Sequence, residues 1–385
     1  MADSRSDSPL SYVANRFEAD WAVAPGSLIQ AELDALEYSQ ADVAARTNIS
    51  TKHFNQLING HVPLSPDIAV ALERVLDIPA EMLLQMDATW QADKVRRTSA
   101  STLAGMQHWV AKFPQRALQE YRVVDFSAAA SARVEALLRF FRVADEKSFD
   151  RIFLAPQVNY RRSQKFSVDP YATALWRRLA EVQADTLLDG TADYDAGALR
   201  AAAQRLPSLS RLPVGEGFRA ARDMLSGAGV LLVFVPEIDE TRISGATWWH
   251  TPSHPIIALT GRYRFVDAFW FTLVHEVAHV LLHPKRATFL HFERARHVDD
   301  NTDQQETAAD AFASETFFTD RQRCELVLLS TKAEVEAFAR KANLSKGIVA
   351  GQFGHYTGNW SRFGKLRESI DLAAAILGPS PATNS

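Results

Sequence analysis

Cysteine is almost missing from this chain: Cys324 is the single thiol in 385 residues. An internal disulfide is therefore excluded, and such usage suits a reducing compartment such as the cytosol. No neighbouring residue pattern marks Cys324 as a nucleophile, and it is read as a small buried hydrophobe. Long apolar runs are missing as well. The longest, Val230-Leu-Leu-Val-Phe-Val235, is far too short to span a bilayer. Residues 1–9 are polar, so no signal peptide is expected. Charge of one sign is not in excess either. A formal net charge of −4 makes no whole-chain case for binding nucleic acid or a membrane. No internal repeat points to a solenoid. What is left, 47% hydrophobic and 23% charged, is ordinary globular composition. Its length allows two or three domains.

Against that background residues 271–283 stand out, because they contain His275-Glu276-Val277-Ala278-His279, an HExxH. Phe271, Val274, Ala278, Leu281 and Leu282 recur at three- and four-residue spacing, and no Gly or Pro intervenes before Pro284, so a helix is expected. Positions i and i+4 share a helix face, which lets both imidazoles reach one metal ion, with Glu276 beside the first of them as a general base. Alone, the same five residues also fit a buried amphipathic helix with two hydrogen-bonded histidines. His283 extends the series to i+8, but eight helical residues rise about 12 Å, whereas bonds to zinc are about 2.0–2.1 Å. His283 is read as a helix-end residue with its ring in a local hydrogen bond. A better third ligand lies in Glu306-Thr-Ala-Ala-Asp310-Ala-Phe-Ala, a second helix with small residues on its packing face. Glu306 completes a His-His-Glu set. Asp310, one turn on, is placed to orient a ligating histidine through its other ring nitrogen.

HExxH-xxx-H followed by ExxAD-xFA resembles the ImmA/IrrE family of zinc metallopeptidases. Ser244-Gly-Ala-Thr-Trp-Trp, Arg262-Tyr263 and Phe269-Trp-Phe-Thr are similar to the subgroup fused to an N-terminal helix-turn-helix. The resemblance runs from about residue 25 to about residue 365. It implies a zinc endopeptidase, gluzincin-like, that cleaves a partner transcriptional repressor in stress or mobile-element regulation.

Residues 25–90 carry helix-turn-helix punctuation. Ser39 and Ser50 each precede a short helix, Thr47-Asn48-Ile49 separates the two, Gly60 ends the second, and Ser65-Pro66 opens a third. Ile58-Asn-Gly60 and Glu73-Arg-Val-Leu-Asp-Ile-Pro79 resemble the XRE/HigA type. On DNA, Thr51, Lys52, His53, Asn55 and Gln56 are the candidate readers of bases or phosphates, with Gln40 and Ser50 on the backbone. Yet residues 25–88 hold three basic residues (Arg46, Lys52, Arg74) against nine acidic ones. Phosphate neutralisation supplies most DNA affinity, so docking onto a protein, or a homodimer contact, stays open beside DNA binding.

Residues 91–225 read as a helical middle region. Tyr160-Arg-Arg-Ser-Gln-Lys-Phe166 interleaves basic and aromatic residues there, suiting either a nucleic acid or solvated helix ends. Residues 226–368 read as the zincin-like domain, with strands at 230–235, 242–248 and 256–259 whose edge is suited to hold a substrate peptide extended. Trp248, Trp249 and His250 either line that groove or pack in the core. Residues 332–353 repeat a helix-turn-helix geometry, read here as packing. His355 and Tyr356 are candidate oxyanion donors, or structural. Residues 1–24 and 369–385 read as terminal arm and tail. The expected fold class is mainly α with a small β-sheet (α+β), and the expected location is cytoplasmic. Two rival functions are a DNA-binding regulator whose metal site is structural or ligand-sensing, and an antitoxin-like protein that acts by binding.

Overall fold

The computed structural model describes residues 22–155, 168–262, 264–283, 289–292 and 300–378. The basic-aromatic stretch at 160–166, Tyr263 and the acid Asp299 lie outside them. The chain divides into two compact units. Among the described residues, one lies within 22–110 and 125–136, and the other within 111–124 and 137–378. Among the described residues, no helix is long and apolar enough to cross a membrane.

The first unit is helical. It starts with α1 (Pro25–Ala35), α2 (Gln40–Arg46), α3 (Thr51–Ile58), α4 (Pro66–Leu76) and α5 (Ala80–Gly105). Its starts follow the sequence signals. Ser39 forms a capping box with Asp42, Ser50 accepts from the His53 N–H, and Ser65 accepts from the Ile68 N–H ahead of Pro66. The α2–α3 turn puts Asn48 at φ 58°, the left-handed region. Ile29, Leu33, Val43, Ala44, Phe54, Leu57, Leu72 and Leu76 make the core. Helix α1 crosses α3 so closely that a Cβ on Gly26 would sit 1.8 Å from the Ile58 carbonyl oxygen. Helix α5 continues without a break past residue 90.

The second unit is built on a four-stranded sheet ordered β1-β3-β2-β4, from β1 (Leu231–Phe234), β2 (Ile243–Thr251), β3 (His254–Leu259) and β4 (Phe289–Phe292). Strands β1 and β3 are parallel, while β2 pairs antiparallel with both β3 and β4. Three of these strands fall within a residue or a few of where the sequence reading places them. Strand β4 was not anticipated: Phe-Leu-His-Phe is too short a run to show a period of its own. Because β4 pairs with β2, the outermost strand on that side, among the described residues, is β4.

Strand residues alternate between faces. Trp248 turns towards helix α6 (Pro170–Asp185), its ring 6.4 Å from that of Trp176. Leu232, Phe234, Ile257 and Leu259 turn the other way, into a core shared with α7 (Val214–Ser226) and α8 (Val266–Leu282). Helix α8 carries the HExxH. It is buried on nearly every side, as a helix apolar all round should be. Helix α9 (Asp300–Phe317) packs along it, with Ala309 and Ala313 fully buried.

Helices α10 (Lys332–Ala342) and α11 (Lys346–Thr357) also join this core, so the second helix-turn-helix geometry serves packing. The start of α8 is held from below. The Val266 N–H donates to the Glu368 carbonyl at 3.0 Å, the Ile370 N–H to the Arg264 carbonyl at 2.9 Å, and Arg367 Nε to Asp267 Oδ2 at 2.9 Å. A final helix, α12 (Leu372–Leu377), packs on α7 where Gly215 leaves room for the Ala375 carbonyl. Part of the expected tail is therefore built into the core. The fold is mainly α with a small mixed sheet, α+β as expected.

Candidate metal centre

His275 and His279 lie one turn apart on α8 with rings 4.7 Å apart. Both are buried to within 2%. Glu306 reaches them from α9. The two Nε2 atoms are 2.9 Å apart, and the Glu306 oxygens lie 3.3 Å from His275 Nε2 and 3.4 Å from His279 Nε2. Bonds of 2.0–2.1 Å at a tetrahedral angle would separate ligand atoms by about 3.3 Å. Each nitrogen is approached by a different Glu306 oxygen, and with one ligand atom from each residue lying within 4.8 Å of the others the group can hold a small divalent cation. It is the one such group among the described residues.

Asp310 sits one turn after Glu306 and faces the back of His275, with Oδ1 3.0 Å from Nδ1. A carboxylate accepts only, so Nδ1 carries a proton and Nε2 is the nitrogen that faces the centre. Burial works against a charge on His275, but the bonds to Asp310 and Glu306 outweigh it and raise its pKa to about 10. The site thus attracts positive charge, whether a proton or a metal. The Glu306 and Asp310 side chains are 24% and 27% exposed while the imidazoles are sealed, so the centre opens on the α9 side.

Glu276 is completely buried. Thr247 Oγ1 on β2 donates to its Oε2 at 2.7 Å. Among the described residues, its Oε1 has no hydrogen-bond partner. Oε1 can lie this close to β2 because residue 245 is glycine: a Cβ there would lie 2.7 Å from Oε1. A buried carboxylate with one tied and one open oxygen is costly in a purely structural position. It is what a proton acceptor needs.

His283 caps the end of α8 with extended backbone, φ −116° and ψ 159°. Burial and the neighbouring His279 lower its pKa, against a hydrogen bond to the Gln305 backbone. It is not one of the converging set.

Other candidates fall elsewhere. His355 and Tyr356 are exposed at the end of α11, rings 5.5 Å apart, and are not drawn into the cluster. Trp248 is core, Trp249 meets Tyr194 edge-on, and His250 Nε2 is 2.7 Å from Asp185 Oδ1. Cys324 is exposed, not buried as expected. It lies on a short helix, Asp320–Leu326, whose one buried residue is Leu326. On α3, Thr51, Lys52 and Asn55 are exposed and His53 and Gln56 partly so. Gln40 bridges two helices, accepting from Asn55 Nδ2 and donating to Gln30 Oε1, both at 3.1 Å. Ser50 is spent on its cap. Sequence reasoning missed Thr247 and Gly245, although both lie in a stretch that carried the family resemblance.

Comparison with known proteins agrees with both units. Residues 229–351 match the family model of the IrrE N-terminal-like domain, peptidase family M78, and residues 29–83 match a helix-turn-helix model. The chain is 28% identical over 74 residues, 19% of its length and 79% of the relative's, to an uncharacterised HTH-type transcriptional regulator, YddM, of Escherichia coli strain K12. The chain therefore carries a metallopeptidase-like domain of the IrrE N-terminal-like family behind an N-terminal helix-turn-helix.

Proposed function

We propose that the chain is a cytoplasmic zinc-dependent endopeptidase that cleaves a transcriptional repressor in stress or mobile-element regulation. The observation that carries this is the convergence of His275, His279 and Glu306, whose ligand atoms all lie within 4.8 Å, beside a buried Glu276 with an open oxygen. Two imidazoles and a carboxylate suit zinc. When bound, zinc supplies Lewis-acid polarisation of the scissile carbonyl and acidifies water. The chain's own residues do the rest. Asp310 keeps His275 in the ligating tautomer. Glu276 Oε1 accepts the proton of the attacking water and hands it to the leaving nitrogen, as general base and then general acid. Strand β4, outermost among the described strands on that side, offers an edge against which a substrate backbone can extend. The helix-turn-helix either binds the operator that the repressor occupies or docks the repressor itself.

The test is Glu276→Gln in the full chain. Metal content should match wild type, while cleavage of a degenerate fluorogenic peptide library should fall about 10²- to 10⁴-fold, the usual contribution of a general acid–base. Cleavage at the wild-type rate would remove Glu276 from its role. Wild-type protein without metal after metal-replete purification would refute the peptidase reading.

A further inference from the structure

We infer that Thr247, with Gly245, is a positioning residue for the reaction: strand β2 holds the Glu276 carboxylate by one oxygen, Oε2, and leaves Oε1 as the proton acceptor. The inference rests on the peptidase reading above and names a residue pair that reading does not require.

A glutamate side chain has three rotatable bonds, and an unrestrained carboxylate presents either oxygen in many directions. Here it is restrained from both sides by one strand. Thr247 is 2% exposed, and its hydroxyl proton goes to Glu276 Oε2 at 2.7 Å, not to the Glu276 carbonyl at 3.4 Å. Two residues earlier, on the same face of β2, Gly245 approaches the other oxygen. A Cβ there would meet Oε1 at 2.7 Å and Thr272 Cγ2 at 2.8 Å. The pair thus pins one oxygen and lets the other lie close against the strand. Neighbouring strand pairs fix the height of this rest, with Gly245 opposite Leu259 and Thr247 opposite Ile257. If Glu276 were only a buried structural acid, both oxygens should find donors, since an orphaned buried acceptor is destabilising. Among the described residues one oxygen is bonded and the other has no partner, the pattern of a held base.

The experiment uses Thr247→Val, which keeps shape and β-branching but removes the donor, Thr247→Ser, which keeps the donor, and Gly245→Ala. All are made in the full zinc-loaded chain and assayed on the best-cleaved peptide of the library. T247V should lose about 10- to 100-fold in kcat, the weight of a hydrogen bond to a charged group, with KM and zinc content unchanged. T247S should recover to within a few-fold of wild type. G245A should lose kcat and keep zinc. A second readout needs no turnover: in metal-free chain, T247V, E276Q and the double variant form a cycle. The double variant should melt above the temperature given by summing the two single shifts. An active wild type with unimpaired T247V refutes the inference alone. So does a T247V that loses zinc, stability and activity together and is not rescued by serine. A wild type that cleaves nothing refutes the peptidase reading, and the inference with it.

Discussion

Asp310 never touches the metal position, yet its removal should weaken metal binding, and the geometry sets by how much. Its Oδ1 lies 3.0 Å from His275 Nδ1, behind a ring that is 1% exposed. In Asp310→Ala that acceptor is gone, the ring loses its fixed orientation, and the ligating nitrogen loses electron density. A hydrogen bond to a charged group contributes about 1.5–3 kcal/mol, or about 10- to 100-fold in Kd. The Asp310 side chain is 27% exposed, so solvent screens part of its charge. The lower half of that range, about 10- to 30-fold, is expected. One effect runs the other way: Asp310 also strengthens the proton that competes with the metal on His275. A dication carries twice the proton's charge, so the net remains a loss. Asp310→Asn keeps an acceptor oxygen without the charge and should fall between. The assay is zinc competition against a chromophoric chelator at pH 7, with Glu306→Ala as the variant that loses a ligand outright. Equal or tighter zinc binding by D310A would show that His275 is oriented by something else.

Two further outcomes follow from the same unit. In the metal-free chain at pH 7, His275 lies below its pKa of about 10 and holds a proton that a metal must displace. Calorimetric titration with zinc in buffers of different ionisation enthalpy should therefore report about one proton released per metal bound, with release declining as pH rises towards 10; no release at pH 7 would contradict the raised pKa. Gly351→Ala should destabilise the chain by about 1–3 kcal/mol in urea unfolding, although alanine is the better helix former. Its Cβ would lie 2.1 Å from Asp267 Oδ2, an atom held in place by Arg367, and a stabilised variant would show that this carboxylate can move.

What was legible beforehand follows from which interactions are local. An i, i+4 spacing on one helix decides that two imidazoles share a face, so the approach of His275 to His279 could be read directly. The same holds for Glu306 and Asp310, and for the capping serines of α2, α3 and α4, whose partners are three residues away. Long-range contacts carry no such periodicity. Thr247 meets Glu276 across 29 residues and Arg367 meets Asp267 across 100, and neither pairing follows from spacing. Strand β4 was missed because its place is set by β2, which it pairs with through Ile243, Gly245, Ala246 and Thr247. Cys324 was misjudged from an average tendency of its residue type, where the orientation of one short helix decided the matter.

The clamp on the start of α8 bears on how the metallopeptidase-like part could be cut out for study. The family match stops at residue 351, and a fragment trimmed to 229–351 would look complete by its motifs. It would lack Arg367, leaving the buried Asp267 carboxylate without its cation, and it would lack the Glu368 carbonyl that receives the Val266 N–H. It would also lose Phe218, Leu225, Phe363 and Leu372 from the shared core. Such a fragment keeps every ligand and loses the floor on which the ligand helix stands. A folding unit must begin ahead of Leu199 and run through Leu377, and the recognisable motif is a good deal shorter than the object that makes it work.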